Sequence, residues 1–360
     1  MRQFDLSRHC GAPLACWNRR QSIAKRHERN CTLRSKGRVL VALAVGSVAL
    51  TYPVEGADAT ASVNSCQAKM SSTFLQPSWD MASWDAVRWD RELAYMEGVG
   101  IRTVILQWSV DMDANLAYYA DPPTWYPRGA DIVGSLMSAA ARRGTSVWLG
   151  LGNVYNWQAH AGDQNWLYNQ LYVNARTADH LYALYPGQFR GWYISNEVDD
   201  SLLATAANVG PMTWFFSALT DYLHTHDGGL AVSGSVTYSG LNQSTEQFSH
   251  SVSRVLGSLD VLHVQDGGGS GYIEATDIRN WFSALAPALA ATGTALWHDA
   301  DMYASPSGPM DPARLQTNLN ATCGLVRGHS GFSFTTQMSP AGIGQWSHYL
   351  AYKRYVWTGR

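Results

Sequence analysis

The stretch "GWYISNEVDD", residues 191–200, ends an apolar run with an amide and a carboxylate side by side, Asn196 and Glu197. A second acidic run, "LWHDAD" at 296–301, places Asp299 and Asp301 two residues apart. In an extended strand these two acids share a face with Trp297, and His298 points the other way. A third carboxylate, Asp266, closes "VLHVQD". Several carboxylates at strand ends suit acid/base cleavage of a glycosidic bond. That chemistry needs one carboxyl that keeps its proton near neutral pH and one that stays ionised.

The groups around them are amides and indoles. Gln76 and Trp79, Gln107 and Trp108, Asn153 and Trp157, Gln265, Trp297 and Gln337 stand at or near the ends of other apolar runs. Indole faces pack on sugar C–H groups, and amides exchange hydrogen bonds with hydroxyls. These residues and Asn196 are the expected substrate contacts, although packing and support would use the same residue types. Other chemistries find less here. No G-x-S-x-G serine elbow and no H-E-x-x-H motif occurs. "QDGGGSG" (265–271) lacks the lysine of a phosphate cradle. His298, Asp299 and Asp301 could ligate a metal only if they shared a face. The expectation is therefore no metal and no cofactor.

Eight apolar, β-branched or aromatic runs carry these ends: 72–79, 103–111, 146–154, 189–197, 230–236, 261–267, 294–301 and 331–337. They read as buried strands. Helical patterns separate them. Ser83 can cap a helix beginning at Trp84, Ser244 with Gln247 forms a capping-box pattern, and Asp311-Pro312 opens another helix. Gly98, Gly144 and Gly228 can stop helices. Eight strand–helix units predict an α/β fold, a single (β/α)8 TIM barrel, whose site lies at the C-terminal ends of the strands. A doubly wound sheet would carry a glycine-rich turn after its first strand, where this chain has "QPSW".

The order of several stretches resembles a known family. "TFLQPSW", "GIRTVILQWS", "WLGLGNVYNW", "FRGWYISNE", "DVLHVQDG" and "ALWHDADMY" are similar to the secreted barrels called domain of unknown function 4434, over 70–340. "SNE" closing a fourth strand resembles the clan A glycoside hydrolases. The resemblance implies a glycosidase-like activity, with Glu197 as acid/base, Asn196 its neighbour, and a carboxylate partner on strand seven. That clan has Glu there, and this chain offers Asp299 and Asp301. Asp301 is the choice by position, with Asp266 as a further candidate. The departure leaves open a carbohydrate-binding barrel without catalysis.

The chain has two parts. Residues 1–60 form a basic leader containing the uncharged run "VLVALAVGSVAL" (39–50) and the small residues "GADATA" (56–61). This fits a secretory signal, with an uncleaved anchor as the alternative. Residues 61–360 form the barrel, expected outside the cytoplasm and without stable membrane association once the leader is removed. They hold 24 acids against 16 Lys and Arg, net −8. So acidic a body argues against a nucleic-acid partner and for a carbohydrate. Cys66 and Cys323 remain after the leader, just before strand one and just before strand eight. In a closed barrel these strands are neighbours, which predicts a disulfide.

Overall fold

The computed structural model describes residues 66–359 except 123–126, 128, 270–272, 305–307 and 342–344. The leader expected over residues 1–60 lies outside the described residues. The described residues belong to one compact unit, Thr60–Arg360. No described helix is long and apolar enough to cross a membrane.

Eight parallel strands form the barrel: β1 (Ser72–Leu75), β2 (Thr103–Leu106), β3 (Ser146–Gly150), β4 (Gly191–Tyr193), β5 (Ala231–Thr237), β6 (Val261–Gln265), β7 (Ala295–Asp301) and β8 (Gly328–Phe332). They pair in chain order. The Ser71 N–H donates to the His329 carbonyl (3.0 Å) and the Thr73 hydroxyl to the Gly331 carbonyl (2.8 Å), which closes β1 onto β8. Eight helices follow the strands: α1 (Ala86–Glu97), α2 (Ile132–Arg143), α3 (Gln164–Leu184), α4 (Ala206–His226), α5 (Thr245–Leu256), α6 (Ala275–Ala290), α7 (Pro312–Ala321) and α8 (Trp346–Thr358). The chain is a (β/α)8 barrel.

Two apolar layers hold it together. Outside the strands, each helix turns one stripe inward. On α5 that stripe is Phe248, Val252, Val255 and Leu256, and each such side chain contributes about 1.5–3 kcal/mol by leaving water. Inside the strands, Phe74 meets Tyr193 and His263 (ring centroids 5.2 Å each) and Phe332 (6.3 Å). Contacts from one strand to three others are possible only in the lumen. Lower down, Trp148 lies over Gly191 and Trp297 over Gly328, each pair in register on adjacent strands. A Cβ at Gly191 would come 2.5 Å from the Trp148 ring, and one at Gly328 would come 2.8 Å from Trp297. Glycine is required at both positions so that the indoles can fill the floor.

Helix starts use short acceptors. Ser244 and Gln247 form the capping box expected of them, and Pro312 sits in the first turn of α7. The first helix begins later than the sequence suggests. Asp85 caps α1 through the Arg88 N–H, while Met81–Ser83 forms a single 3-10 turn. The eighth strand is also displaced. "GFSFTTQ" alternates like a strand, yet the ladder ends at Phe332, and Phe334–Gln337 is a helical turn. The Phe334 N–H bonds the Thr73 hydroxyl at 3.0 Å, and Phe334 and Thr335 are both buried. Two successive buried side chains suit a turn of helix, not an alternating strand.

Cys66 and Cys323 form a disulfide with Cα atoms 6.1 Å apart, spanning 257 residues. In the chain-entropy account a loop this long stabilises by on the order of 5 kcal/mol. Replacing both cysteines with serine should lower the melting temperature by roughly 10 °C without changing the native circular dichroism spectrum. An unchanged melting temperature would show that the bridge does not constrain the unfolded chain.

Candidate active site

The site builds from the end of β4. Tyr193 pairs with Ser233, and Ile194 donates to the Ser233 carbonyl (2.8 Å). Pairing resumes at Val198 with Val236 and Asp199 with Thr237. Four residues on β4 therefore stand against two on β5, and the surplus lifts Ser195, Asn196 and Glu197 off the ladder. Bulges of this kind re-aim a side chain at a strand end. The bulge is pinned from several sides. The Ser195 hydroxyl donates to the Gln107 carbonyl (2.6 Å), the Glu197 N–H to the Ser195 carbonyl (3.1 Å), and the Trp157 indole N–H to the Glu197 carbonyl (3.1 Å). Asn196 is 2% exposed and its Oδ1 has no partner among the described residues.

The Glu197 carboxylate accepts from the Gln107 amide (Nε2 to Oε1, 2.6 Å) and lies 3.3 Å from the Tyr193 hydroxyl. The same hydroxyl lies 2.9 Å from the Ser235 hydroxyl, which can donate to it while the single Tyr193 hydrogen faces Glu197. Burial of the carboxyl group raises the pKa of Glu197 above its ordinary range, and hydrogen bonds from Gln265, Tyr193 and Gln107 offset part of the rise. The Gln265 side chain is itself oriented by the Thr237 hydroxyl (2.6 Å). Gln265 stands in register with Asp299 on β7.

Asp299 is 1% exposed, and neither carboxyl oxygen makes a hydrogen bond of normal geometry among the described residues. Burial holds its pKa well above the ordinary value. The charges of Asp301, Glu197 and Asp266 add to the rise, and the nearby Ser330 hydroxyl offsets a little. Burial and the three nearby carboxylates thus favour the protonated form of Asp299. Asp301 lies one pleat repeat further toward the mouth, and its Oδ2 accepts from the Gly269 N–H (2.9 Å).

Asp266 faces the other way. Its Oδ2 lies 3.1 Å from His298 Nε2, and its Oδ1 accepts from the Gly268 N–H (2.8 Å) and more distantly from the Asp301 N–H (3.4 Å). His298 packs on Phe282 of α6 and bonds Thr322 (2.9 Å), so this pair lies between sheet and helices. Burial pushes the Asp266 carboxyl up to about 7 and the His298 imidazole down to about 3. Both shifts favour the uncharged forms, and the two side chains are joined by one hydrogen bond. Its place in the structure is to hold the 266–269 turn and the end of β7, not to meet Glu197. Among the described residues no group of three or more His, Cys, Asp or Glu is placed to hold a metal.

The expected contact residues separate by depth. Gln107 (5% exposed) touches Glu197, Gln265 supports it, and Trp157 (2% exposed) holds its backbone. Gln76, Trp108 and Asn153 are half-buried near their strand ends, and Trp79 is 76% exposed in the loop after β1. Trp297 lies on the floor over Gly328, below the carboxylates rather than beside them. Gln337 ends the short helix beyond β8 and bonds Thr336 (3.4 Å). The sequence reading missed Tyr193 and Ser235. The available signal was alternation, which puts Tyr193 on the lumen face of the run that leads to Glu197.

Carboxylates thus gather at the C-terminal ends of β4 and β7 of a closed (β/α)8 barrel, the end at which barrels of this fold carry their sites. The chain belongs to the family described as "Domain of unknown function (DUF4434)", which matches residues 70–344. No curated protein matches it. Among solved structures it is similar to a "putative alpha-L-fucosidase" from Bacteroides thetaiotaomicron, with TM-score 0.68 and 21% identity over 81% of this chain and 93% of that one. It is also similar to an endo-beta-1,4-mannanase from Thermotoga petrophila, with TM-score 0.54 and 10% identity over 83% of this chain and 79% of that one. A GH113 beta-1,4-mannanase matches with TM-score 0.52 and 12% identity over 81% of this chain and 99% of that one. At these identities the likeness is one of fold.

The Tyr193 contact stabilises the ionised form of Glu197. Removing it with Tyr193→Phe should move the Glu197 pKa further up. A carbon-13 titration of the glutamate carboxyls should show one resonance shifted to higher pH. A downward shift, or none, would mean the phenol does not act on this carboxylate.

Proposed function

We propose that this chain is a glycoside hydrolase that cleaves a polysaccharide or oligosaccharide outside the cytoplasm or in the cell envelope. The observation that carries the reading is the position of Glu197. It is a desolvated carboxyl held by Gln107 and Tyr193, with Asp299 and Asp301 on the facing strand. The structural likeness to mannanases supports the substrate class. The Cys66–Cys323 disulfide and the leader expected over residues 1–60 support an oxidising compartment.

In this reading Glu197 is the general acid. Its raised pKa keeps the proton available to the glycosidic oxygen as the bond to the anomeric carbon breaks. Asp301 is the charged partner, oriented by the Gly269 N–H, and it stabilises the oxocarbenium-like transition state. Asp299 keeps its proton beneath them and prevents two adjacent negative charges in a buried place. The chemistry requires neither metal nor cofactor. Asp in place of Glu on β7 favours one second reading, a barrel that binds carbohydrate without cutting it.

A polysaccharide panel with reducing-end detection tests the proposal. Glu197→Gln and Asp301→Asn should each lower turnover by about 10²-fold or more while binding persists. Asp299→Asn should be mild at neutral pH, because Asn is close in shape and charge to a protonated Asp. Loss of activity in Asp299→Asn with Asp301→Asn active would make Asp299 the partner. Glycan binding without release of reducing ends by the wild type would establish the binding-only reading.

A further inference from the structure

The outer face of a surface helix ordinarily carries charge. The first half of α3 does not. From Gln164 to Ala175 it holds no charged residue, and its exposed side chains are Asn165, Tyr168, Asn169 and Tyr172. Their spacing puts them on one face. The opposite face is buried, at Leu167, Gln170, Asn174 and Ala178. Packing on the barrel explains the buried set and leaves the exposed one unexplained. Tyr168 is 45% and Tyr172 40% exposed, and they stand about 6 Å apart along the helix axis.

The face continues onto the next helix. The Tyr168 ring centroid lies 4.3 Å from that of Trp214 on α4, tilted by 42°. Trp214 is half-buried and also lines a groove of about 500 Å³, with Thr213, Ser217 and Asp221 on the same helix and Arg254 on α5. Phenol and indole rings beside neutral amides and hydroxyls are the groups that hold a sugar. The rings take its C–H faces and the polar ends its hydroxyls. An anionic lipid surface or a nucleic acid would call for a row of Lys and Arg, and the strip from Asn165 to Tyr172 has none.

The place of this strip is an independent observation. The chain enters α3 from the turn Trp157–His160, whose Trp157 indole holds the Glu197 carbonyl. The His160 ring stacks on Trp166 of α3, with centroids 4.9 Å apart and planes 13° from parallel. The strip therefore begins beside the support of the candidate acid and runs down the outside of the barrel. A glycan leaving the mouth on this side meets Tyr168 and then Tyr172. The helices α3, α4 and α5 and the turns that enter them, 155–163, 200–205 and 238–244, are all described.

We infer that the outer α3–α4 face is a second carbohydrate-binding site, which takes a polysaccharide long enough to reach from it to the mouth. The inference rests on the carbohydrate reading of the mouth and adds a site that no candidate catalytic residue touches. Two contacts on one chain reinforce each other, because the second forms at the effective concentration that the first creates.

The experiment is affinity electrophoresis of the full chain in gels containing galactomannan, xylan or glucan, with hydrolysis of these polymers and of their trisaccharides followed in parallel. At least one polymer should retard the wild type. Tyr168→Ala combined with Tyr172→Ala should weaken that binding on the order of tenfold. It should raise KM for the polymer by a similar factor and leave kcat and the trisaccharide KM unchanged. Asn165→Ala combined with Asn169→Ala spares the Trp214 contact and should weaken polymer binding by a smaller factor. Trp357→Ala, at an exposed indole on α8, should change none of these. Binding unaltered in the tyrosine variant overturns the inference, as does equal weakening by Trp357→Ala, an equal loss on the trisaccharide, or no retardation by any polymer. A dimer in sedimentation that the tyrosine variant dissolves would make the face an interface between copies and overturn it too. Polymer cleavage that the tyrosine variant leaves intact would keep the hydrolase reading and remove this one. Tyrosine-dependent retardation without any cleavage would do the reverse.

Discussion

An eight-stranded barrel has an interior just wide enough to be filled by side chains, and how it is filled decides what the rest of the molecule can do. Here Trp148 and Trp297 close the floor over Gly191 and Gly328, and the Phe74 ring closes the middle against Tyr193, His263 and Phe332. Gln107, Gln265, Glu197 and Asp299 are held above that plug, where aromatic walls still limit their hydration. Burial raises the pKa of both acids. The packing of the lower barrel and the proton affinity of its upper carboxyls are thus two results of one constraint.

The same constraint explains why β7 carries two kinds of side chain on alternate faces. Trp297, Asp299 and Asp301 run up the lumen, while His298 turns outward to Thr322 and Asp266. The outward set is locked by hydrogen bonds. It fixes the strand end on which the inward acids stand, through the Asp266 contact with the Asp301 N–H and the Gly268–Gly269 turn. Rigid support from behind keeps the spacing of the inward acids fixed.

Much of this was legible in the chain. The eight runs and the helices between them mark the barrel, and alternation along "LWHDAD" puts the two acids on one face and His298 on the other. The positions of Cys66 and Cys323 before neighbouring strands pointed to their bridge. What alternation cannot give is depth. Trp297 and Asp301 share a face yet stand at the floor and the mouth. Nor does it identify the face that matters at a strand end, so Asp266 read like its lumen-facing neighbour Gln265 although it belongs with His298. "FSF" read as a strand because the hydroxyl that redirects the chain at Phe334 comes from Thr73, 261 residues away. Tyr193 read as core, and it is core, with its hydroxyl alone in the site.

The bulge on β4 has a consequence for how this chain can vary. The ladder with β5 is fixed on both sides of it, at Tyr193 and again at Val198. The surplus is two residues, an even number, so the strand keeps its in–out phase across the interruption. A single-residue deletion or insertion between Tyr193 and Val198 would leave the flanking pairs in place only by refolding the bulge between them. A change of two would restore the phase. An odd change of length in this segment therefore falls on the bulge itself, and with it on the contacts from Ser195 and Trp157 that set the direction of Glu197.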